Sequence, residues 1–246
     1  MQNLKWAGLS DVGRVRSANE DRWFVDPQGQ LFIVSDGLGG HLGGELAARI
    51  VIEILPRQLR KVLGEGTPLN DSNLLQQVSR QVSRLSSRVR AETQGEPGLS
   101  GMGATVVLAL IRGGQALVVH LGDSRAYLWR GGRLTQLTRD HSLLQLLIDQ
   151  GKLSPHREAG PHPAASQLTR YIGMEGDVLP DAQIVDLQPA DRLLLCTDGL
   201  SSMLDADAIA QILGQEDDPQ RSCRVLIERA NAAGGRDNVT ALVIAV

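Results

Sequence analysis

Residues 104–137 read ATVVLALIRGGQALVVHLGDSRAYLWRGGRLTQL, and the way this stretch is parsed decides the fold. Apolar runs at 104–111, 116–121 and 126–129 have the length of strands. Gly113-Gly114 and Gly131-Gly132 punctuate them, and two-glycine connections favour primed hairpin turns. The spacing predicts an antiparallel meander across 104–137.

Outward from this stretch, short apolar runs at 31–35, 193–196 and 239–246 predict further strands, and Trp23-Phe24-Val25 is strand-like. Leu46, Ala47, Ile50, Val51, Ile54 and Leu55 recur at helical spacing, and Pro56 is expected to kink or end that helix. Leu74, Leu75, Val78, Val82, Leu85 and Val89 mark a second helix; Arg80, Arg84 and Arg88 on its other face read as solvated surface. Asp218-Pro219 is a cap and first-turn pair for a third, running through Cys223, Leu226, Ile227 and Ala230 to stop at Gly234-Gly235. Residues 150–166, broken by Pro155, Pro161 and Pro163, read as a long loop or flap. Antiparallel strands with segregated helices predict an α+β architecture of two packed sheets covered by helices.

Composition narrows the function. The 246 residues can bury a sizeable core, and with aromatics at only 3% that core must be aliphatic. Two cysteines, Cys196 and Cys223, make neither a disulfide framework nor a zinc ribbon. The longest apolar run, about eight residues, is far short of the roughly 20 that span a bilayer. The start, Met-Gln-Asn-Leu-Lys-Trp, lacks a signal-peptide pattern. A net charge of -3 with few aromatics argues against nucleic-acid binding. The expectation is a cytoplasmic protein with no membrane or nucleic-acid partner, acting as a monomer.

The aspartates carry the chemistry. The run 31–35 leads into Asp36-Gly37, 116–121 into Gly122-Asp123, 193–196 into Thr197-Asp198-Gly199, and Asp237-Asn238 opens the last run. One Asp-Gly after a strand is ordinary turn chemistry. Four aspartates at strand ends gather carboxylate oxygens wherever those ends converge, and such a donor set selects magnesium or manganese over zinc. Two such ions can share a carboxylate and a water and lower that water's pKa, making hydroxide available as a nucleophile. This pattern reads as a metal-assisted hydrolase acting on phosphate. Arg16, in Val15-Arg16-Ser17, carries a guanidinium able to clamp two phosphate oxygens, although taken alone it reads as a surface charge.

The segments 16–21 (RSANED), 36–44 (DGLGGHLGG), 101–105 (GMGAT), 122–125 (GDSR), 140–142 (DHS), 168–173 (LTRYIG), 198–200 (DGL) and 235–240 (GRDNVT) resemble, in order and spacing, the PPM-type metal-dependent serine/threonine protein phosphatases, the phosphatase 2C family, and most of all its compact bacterial members. The resemblance implies a four-layer α/β/β/α sandwich of two mostly antiparallel sheets flanked by helices, formed by residues 1–246 as one catalytic domain with a variable flap at about 140–170. It implies that Asp36 bridges two Mg2+ or Mn2+ ions, that the Gly37 carbonyl binds one, and that Asp198 and Asp237 complete the pair. Asp123, with Asp198, would hold a third, weaker ion. Arg16 matches the phosphate-binding arginine. Glu20 and Asp21 match acidic residues that orient metal-bound water, and Asn238 would brace Asp237. A metal-bridging hydroxide would then hydrolyse the phosphomonoester with no covalent phosphoenzyme. Phosphoserine and phosphothreonine proteins are the implied substrates, and opposing serine/threonine kinases the implied partners.

Three departures stand against the pattern. Leu38 occupies the position where eukaryotic members carry histidine, and the nearby His41 is the candidate general acid. Ala104 stands where a second threonine is common, and Ser202 where an acidic residue is frequent. His120 reads as a core or edge residue, His141 as a residue fixing the flap, and His156 and His162 as loop residues. Two other readings stay open from the residues alone, a two-metal nucleic-acid phosphodiesterase and a non-catalytic phosphopeptide-binding module.

Overall fold

A computed structural model describes residues 4–39, 41–64, 67–93, 97–99, 101–154 and 163–246. The strands are β1 (Lys5–Asp11), β2 (Arg22–Val25), β3 (Leu31–Ser35), β4 (Gly37–Leu38), β5 (Gly103–Ala104), β6 (Val106–Arg112), β7 (Gln115–Leu121), β8 (Arg125–Arg130), β9 (Arg133–Gln136), β10 (Asp181–Asp186), β11 (Arg192–Cys196) and β12 (Val239–Ala245). The helices are α1 (His41–Arg60), α2 (Ser72–Thr93), α3 (Leu143–Asp149), α4 (Asp198–Ser201), α5 (Ala206–Gln215) and α6 (Pro219–Ala232).

Two five-stranded antiparallel sheets, β1-β12-β11-β8-β9 and β10-β7-β6-β3-β2, pack face to face, and β4 pairs with β5 beside them. Alternation along each strand sorts the core into three layers. Phe32, Val34, Val107 and Ala109 meet Leu193, Leu195, Leu242 and Ile244 between the sheets. On the outer face of β3 and β6, Leu31, Ile33, Val106 and Leu108 meet Val51 and Leu55 of α1 and Val78 and Val82 of α2. Leu194 and Val243 face outward on the other sheet, against Ile209 and Leu213 of α5 and Leu226 and Ile227 of α6. Both faces of the central strands are therefore buried, which is why their sequences are continuously apolar. The result is the expected four-layer α/β/β/α sandwich.

Two details depart from the sequence reading. The stretch 104–137 is not one meander: β7 pairs with β6 and β10, whereas β8 pairs with β9 and β11. The chain crosses between sheets at Gly122, whose φ of 115° is one L side chains rarely adopt, and a Cβ there would lie 2.6 Å from Thr105 Cγ2. That crossover leaves Asp123 at the end of the sandwich. Pro56 does not end α1, which runs on to Arg60 because Val51, Leu55 and Leu59 on its buried face bind it to the sheet. α3, capped by Ser142, whose hydroxyl accepts from Gln145 N, precedes the 150–166 stretch read as a loop, of which 155–162 lie outside the described residues. His156 and His162 lie outside the described residues. α6 follows its expected cap, with Asp218 accepting from Gln220 N, and Arg80, Arg84 and Arg88 are exposed on α2. Among the described residues, no helix is long and apolar enough to cross a membrane.

Candidate functional site

The carboxylates meet at one end of the sandwich. Asp36 leaves the end of β3, Asp123 lies at the crossover, Asp198 follows β11 as the first residue of α4, and Asp237 precedes β12. Together with Arg16, Glu20, Gly37 and Asn238 they line one cavity of about 240 Å³. Strand direction explains the convergence. β3 and β11 run toward this end, whereas β6 and β12 start from it, so hairpin connections elsewhere leave their free ends together. Close backbone approach completes it. A Cβ on Gly199 would fall 1.9 Å from Asn238 O, so only glycine lets the Asp198 turn press against the Asp237 turn.

Asp36, Asp21 and Asp237 are held from behind. Thr105 grips Asp36 on both sides, its N–H donating to Asp36 O at 2.8 Å and its Oγ1 accepting from Asp36 N at 3.0 Å. The same hydroxyl lies 2.6 Å from Ser124 Oγ, tying the Asp36 turn to the residue after Asp123. Asp21 is buried beneath; its Oδ2 accepts from Thr197 Oγ1 at 2.8 Å and Thr240 Oγ1 at 2.7 Å, while its Oδ1 is buried with no hydrogen-bond partner. The backbone N–H of Asn238 donates to Asp237 Oδ1. Its side-chain amide donates to Val12 O and Ala18 O, and its Oδ1 accepts from Glu20 N. The Asn238 side chain thus ties the turn after Asp237 to the Arg16-bearing loop.

The electrostatics are severe. Burial first, then repulsion from Asp21, Asp198, Asp123 and Asp237, holds the Asp36 carboxyl well above the usual carboxylate range. Asp123 is raised by burial and by Asp198, and Asp198 by burial and by Asp237. Asp21 rises for the same leading reason, burial, despite its two hydroxyl donors. Arg16 offsets part of this, with its Nη2 2.7 Å from Asp237 Oδ2. The arginine of GDSR points elsewhere, since Arg125 forms a two-pronged pair with Asp140 and donates to Tyr127 Oη.

These residues fit a hard divalent cation. Among the described residues every carboxylate or carbonyl ligand atom at the cavity is oxygen, Asp21 Oδ1 beneath them lacks a partner, and like charges crowd a desolvated space that a cation would neutralise. Cys196 is buried in β11 with its thiol pushed up to about 12 by burial, and Cys223, also about 12, sits in α6, so neither offers a thiolate.

All the expected site residues except His41 line this cavity or lie against it. His41 opens α1, but its side chain is outside the described residues. The sequence reading missed Thr105, Ser124, Thr197 and Thr240 as supports of the acidic cluster, and Ser166 and Leu168 as cavity wall. The hydroxyl residues had a legible signal, since each sits beside a strand-end aspartate or its paired strand.

Residues 14–221 match the family model of protein phosphatase 2C. The serine/threonine protein phosphatase PstP of Mycobacterium tuberculosis is 38% identical over 240 residues, covering 98% of this chain. The chain spans only 44% of the length of that relative. A serine/threonine phosphatase, stp, of Listeria monocytogenes is 34% identical across 96% of this chain and 93% of its own length. Among solved structures, the catalytic domain of the serine/threonine protein phosphatase PstP in complex with two manganese ions superposes with a TM-score of 0.82 at 34% identity, covering 98% of this chain and 97% of that one. Matched along nearly its whole length by sequence and by fold, the chain belongs to the protein phosphatase 2C family.

Proposed function

We propose that this protein is a magnesium- or manganese-dependent serine/threonine phosphoprotein phosphatase, with residues 1–246 forming one catalytic domain. The observation that carries the reading is the convergence of Asp36, Asp123, Asp198 and Asp237 with Arg16 around one cavity. Asp36, Asp198, Asp237 and the Gly37 carbonyl would hold two ions, and Asp123 with Asp198 a third, weaker one. Bound metal supplies Lewis-acid activation of water and positive charge against the phosphoryl group.

The chain's own residues supply the rest. Arg16, half exposed on its loop, turns from Asp237 to take two phosphoryl oxygens, orienting the ester for in-line displacement by water. Asp21, beneath the primary carboxylates, and Glu20, in the cavity wall beside them, help orient that water. His41 is assigned by its motif to protonate the departing serine or threonine oxygen. Both thiols are held neutral by burial, so neither cysteine serves as nucleophile; in the proposed reaction water attacks phosphorus directly, with no phosphoenzyme. Phosphoproteins phosphorylated by opposing serine/threonine kinases are the proposed substrates, met by a monomer in the cytoplasm.

Turnover of a phosphothreonine peptide with added manganese tests this. Activity lost in EDTA and in Asp36→Asn is the expected result. Turnover that survives EDTA, or that Asp36→Asn sustains at the wild-type rate, overturns the metal mechanism, and tight peptide binding without hydrolysis in saturating manganese would favour a binding module.

A further inference from the structure

Outside the acidic cluster, His120, His141 and Asp181 gather titratable groups that the proposed mechanism does not use. Their ligand-type atoms lie within 4.8 Å of one another, the spacing of a metal cage. Ring geometry rules that cage out. The two imidazoles stack with centroids 4.5 Å apart and planes only 23° from parallel, whereas an imidazole binds a metal in its own plane. The nitrogens are also engaged. His120 Nε2 bonds Arg139 O at 2.8 Å, and His141 Nε2 lies 3.1 Å from Asp181 Oδ2. His141 Nδ1 accepts from Gly122 N at 3.1 Å.

That last bond fixes the ring's protons. Nδ1 accepts, so it carries no hydrogen; the hydrogen is on Nε2 and is donated to Asp181. Arg170 holds Asp181 in turn, with Nη1 2.9 Å from Oδ1 and Nη2 3.2 Å from Oδ2. Burial and the neighbouring His120 keep the His141 imidazole down at about 4, hence neutral near pH 7.

His141 also grips Gly122 by its backbone, its N–H donating to Gly122 O at 3.0 Å. Both polar backbone groups of the residue before Asp123 therefore bind one side chain and its own amide. On its other side, His141 O accepts from Thr169 N at 2.8 Å, beside the cavity-wall residue Leu168. We propose that His141 is the positioning residue of the cleft, aiming the Asp123 carboxylate through Gly122 and setting the Leu168 wall through Thr169. The inference rests on the proposed function for its catalytic consequence, and on Gly122 alone for its structural one.

The wild-type protein with nitrogen-labelled histidine, observed by NMR at pH 7, gives the first test. An Nε2–H tautomer of His141 is expected; an Nδ1–H tautomer or an imidazolium overturns the proposal. The second test compares His141→Leu with His141→Asn, whose amide oxygen can still accept from Gly122 N–H. Hydrogen exchange at the Gly122 amide should quicken in the leucine variant and stay slow in the asparagine variant. Phosphopeptide kcat/KM should fall about tenfold or more in the first and less in the second, the size seen when groups orienting a metal ligand are removed. Equal exchange and equal turnover in the two variants would overturn the proposal. Manganese or zinc bound at His120 and His141 would do so as well. If the leucine variant does not fold, the tautomer and the asparagine variant decide. An inactive wild-type chain would overturn the proposed function, while the Gly122 measurements still judge this inference.

Discussion

The sandwich is open at both ends, and the ends contrast sharply. At the start of β3 and the close of β6 lies the larger hollow, about 630 Å³, bordered by Leu4, Trp6, Pro27, Gln28 and Arg112. Among the described lining residues the one charged group, Arg112, is tied to Gly64 O and Thr67 O. At the other end, the smaller cavity of about 240 Å³ is lined by Glu20 and four aspartates, with Arg16 at its side. Size does not mark the site here. What distinguishes it is desolvated like charge, a state that costs stability and persists where it serves chemistry.

The contrast breaks most readily at Asp36. Asp36→Asn should lower manganese-dependent phosphopeptide turnover by on the order of 10²–10³-fold, the scale on which loss of a transition-state electrostatic partner is felt. The same variant should melt higher than wild type when metal-free. The sign follows from proton counting. Burial raises the folded-state pKa of Asp36, so the folded chain keeps a proton that the unfolded chain releases, and ionisation destabilises the fold as pH rises. The gap in melting temperature should therefore widen upward from about pH 4, where unfolded carboxylates titrate. A gap that is flat or narrows with pH would contradict a strained acidic cluster. Manganese should raise the wild-type melting temperature more than that of the variant.

Arg16→Ala should reduce phosphopeptide kcat/KM by about tenfold to a hundredfold, the worth of hydrogen bonds to a charged group. Stability should change by less than about 1 kcal/mol, because its pair with Asp237 is half exposed. Unaltered kinetics would remove Arg16 from the phosphate site. At the opposite end, Trp6→Ala strips edge-on contacts with Trp23 and Phe32 and should cost about 1–2 kcal/mol in denaturant unfolding while turnover stays the same. A loss of turnover there would show that the two ends are coupled. Arg84→Ala, on the exposed face of α2, should fall within about 0.5 kcal/mol of wild type in the same assay.

Legibility along the sequence followed burial. β3, β6, β11 and β12 were plain because both faces of each are covered, leaving unbroken apolar runs. β10, reading DAQIVD, was missed because it is an edge strand largely exposed to solvent. β1 was missed as well, since KWAGLSD interleaves small, polar and large residues. α5 was overlooked although its signal was present, with Asp205 capping through Ala208 N and Ile209, Ile212 and Leu213 on one face. The aspartates were legible because each follows or precedes an apolar run. Arg16 stood out only through its motif.

What the residues alone determined was which fully buried segments are strands, that the donors at their ends are oxygens suited to a hard cation, and which family pattern they match. Alternation, turn chemistry and ligand softness are local properties, written within a few neighbouring positions. Only the tertiary structure decided that residues 104–137 divide between two sheets, that Thr105 and Thr240 support carboxylates distant in sequence, and that His141 grips the turn before Asp123. Those facts depend on which strand ends meet, and that is set by packing two sheets against each other over contacts more than a hundred residues apart.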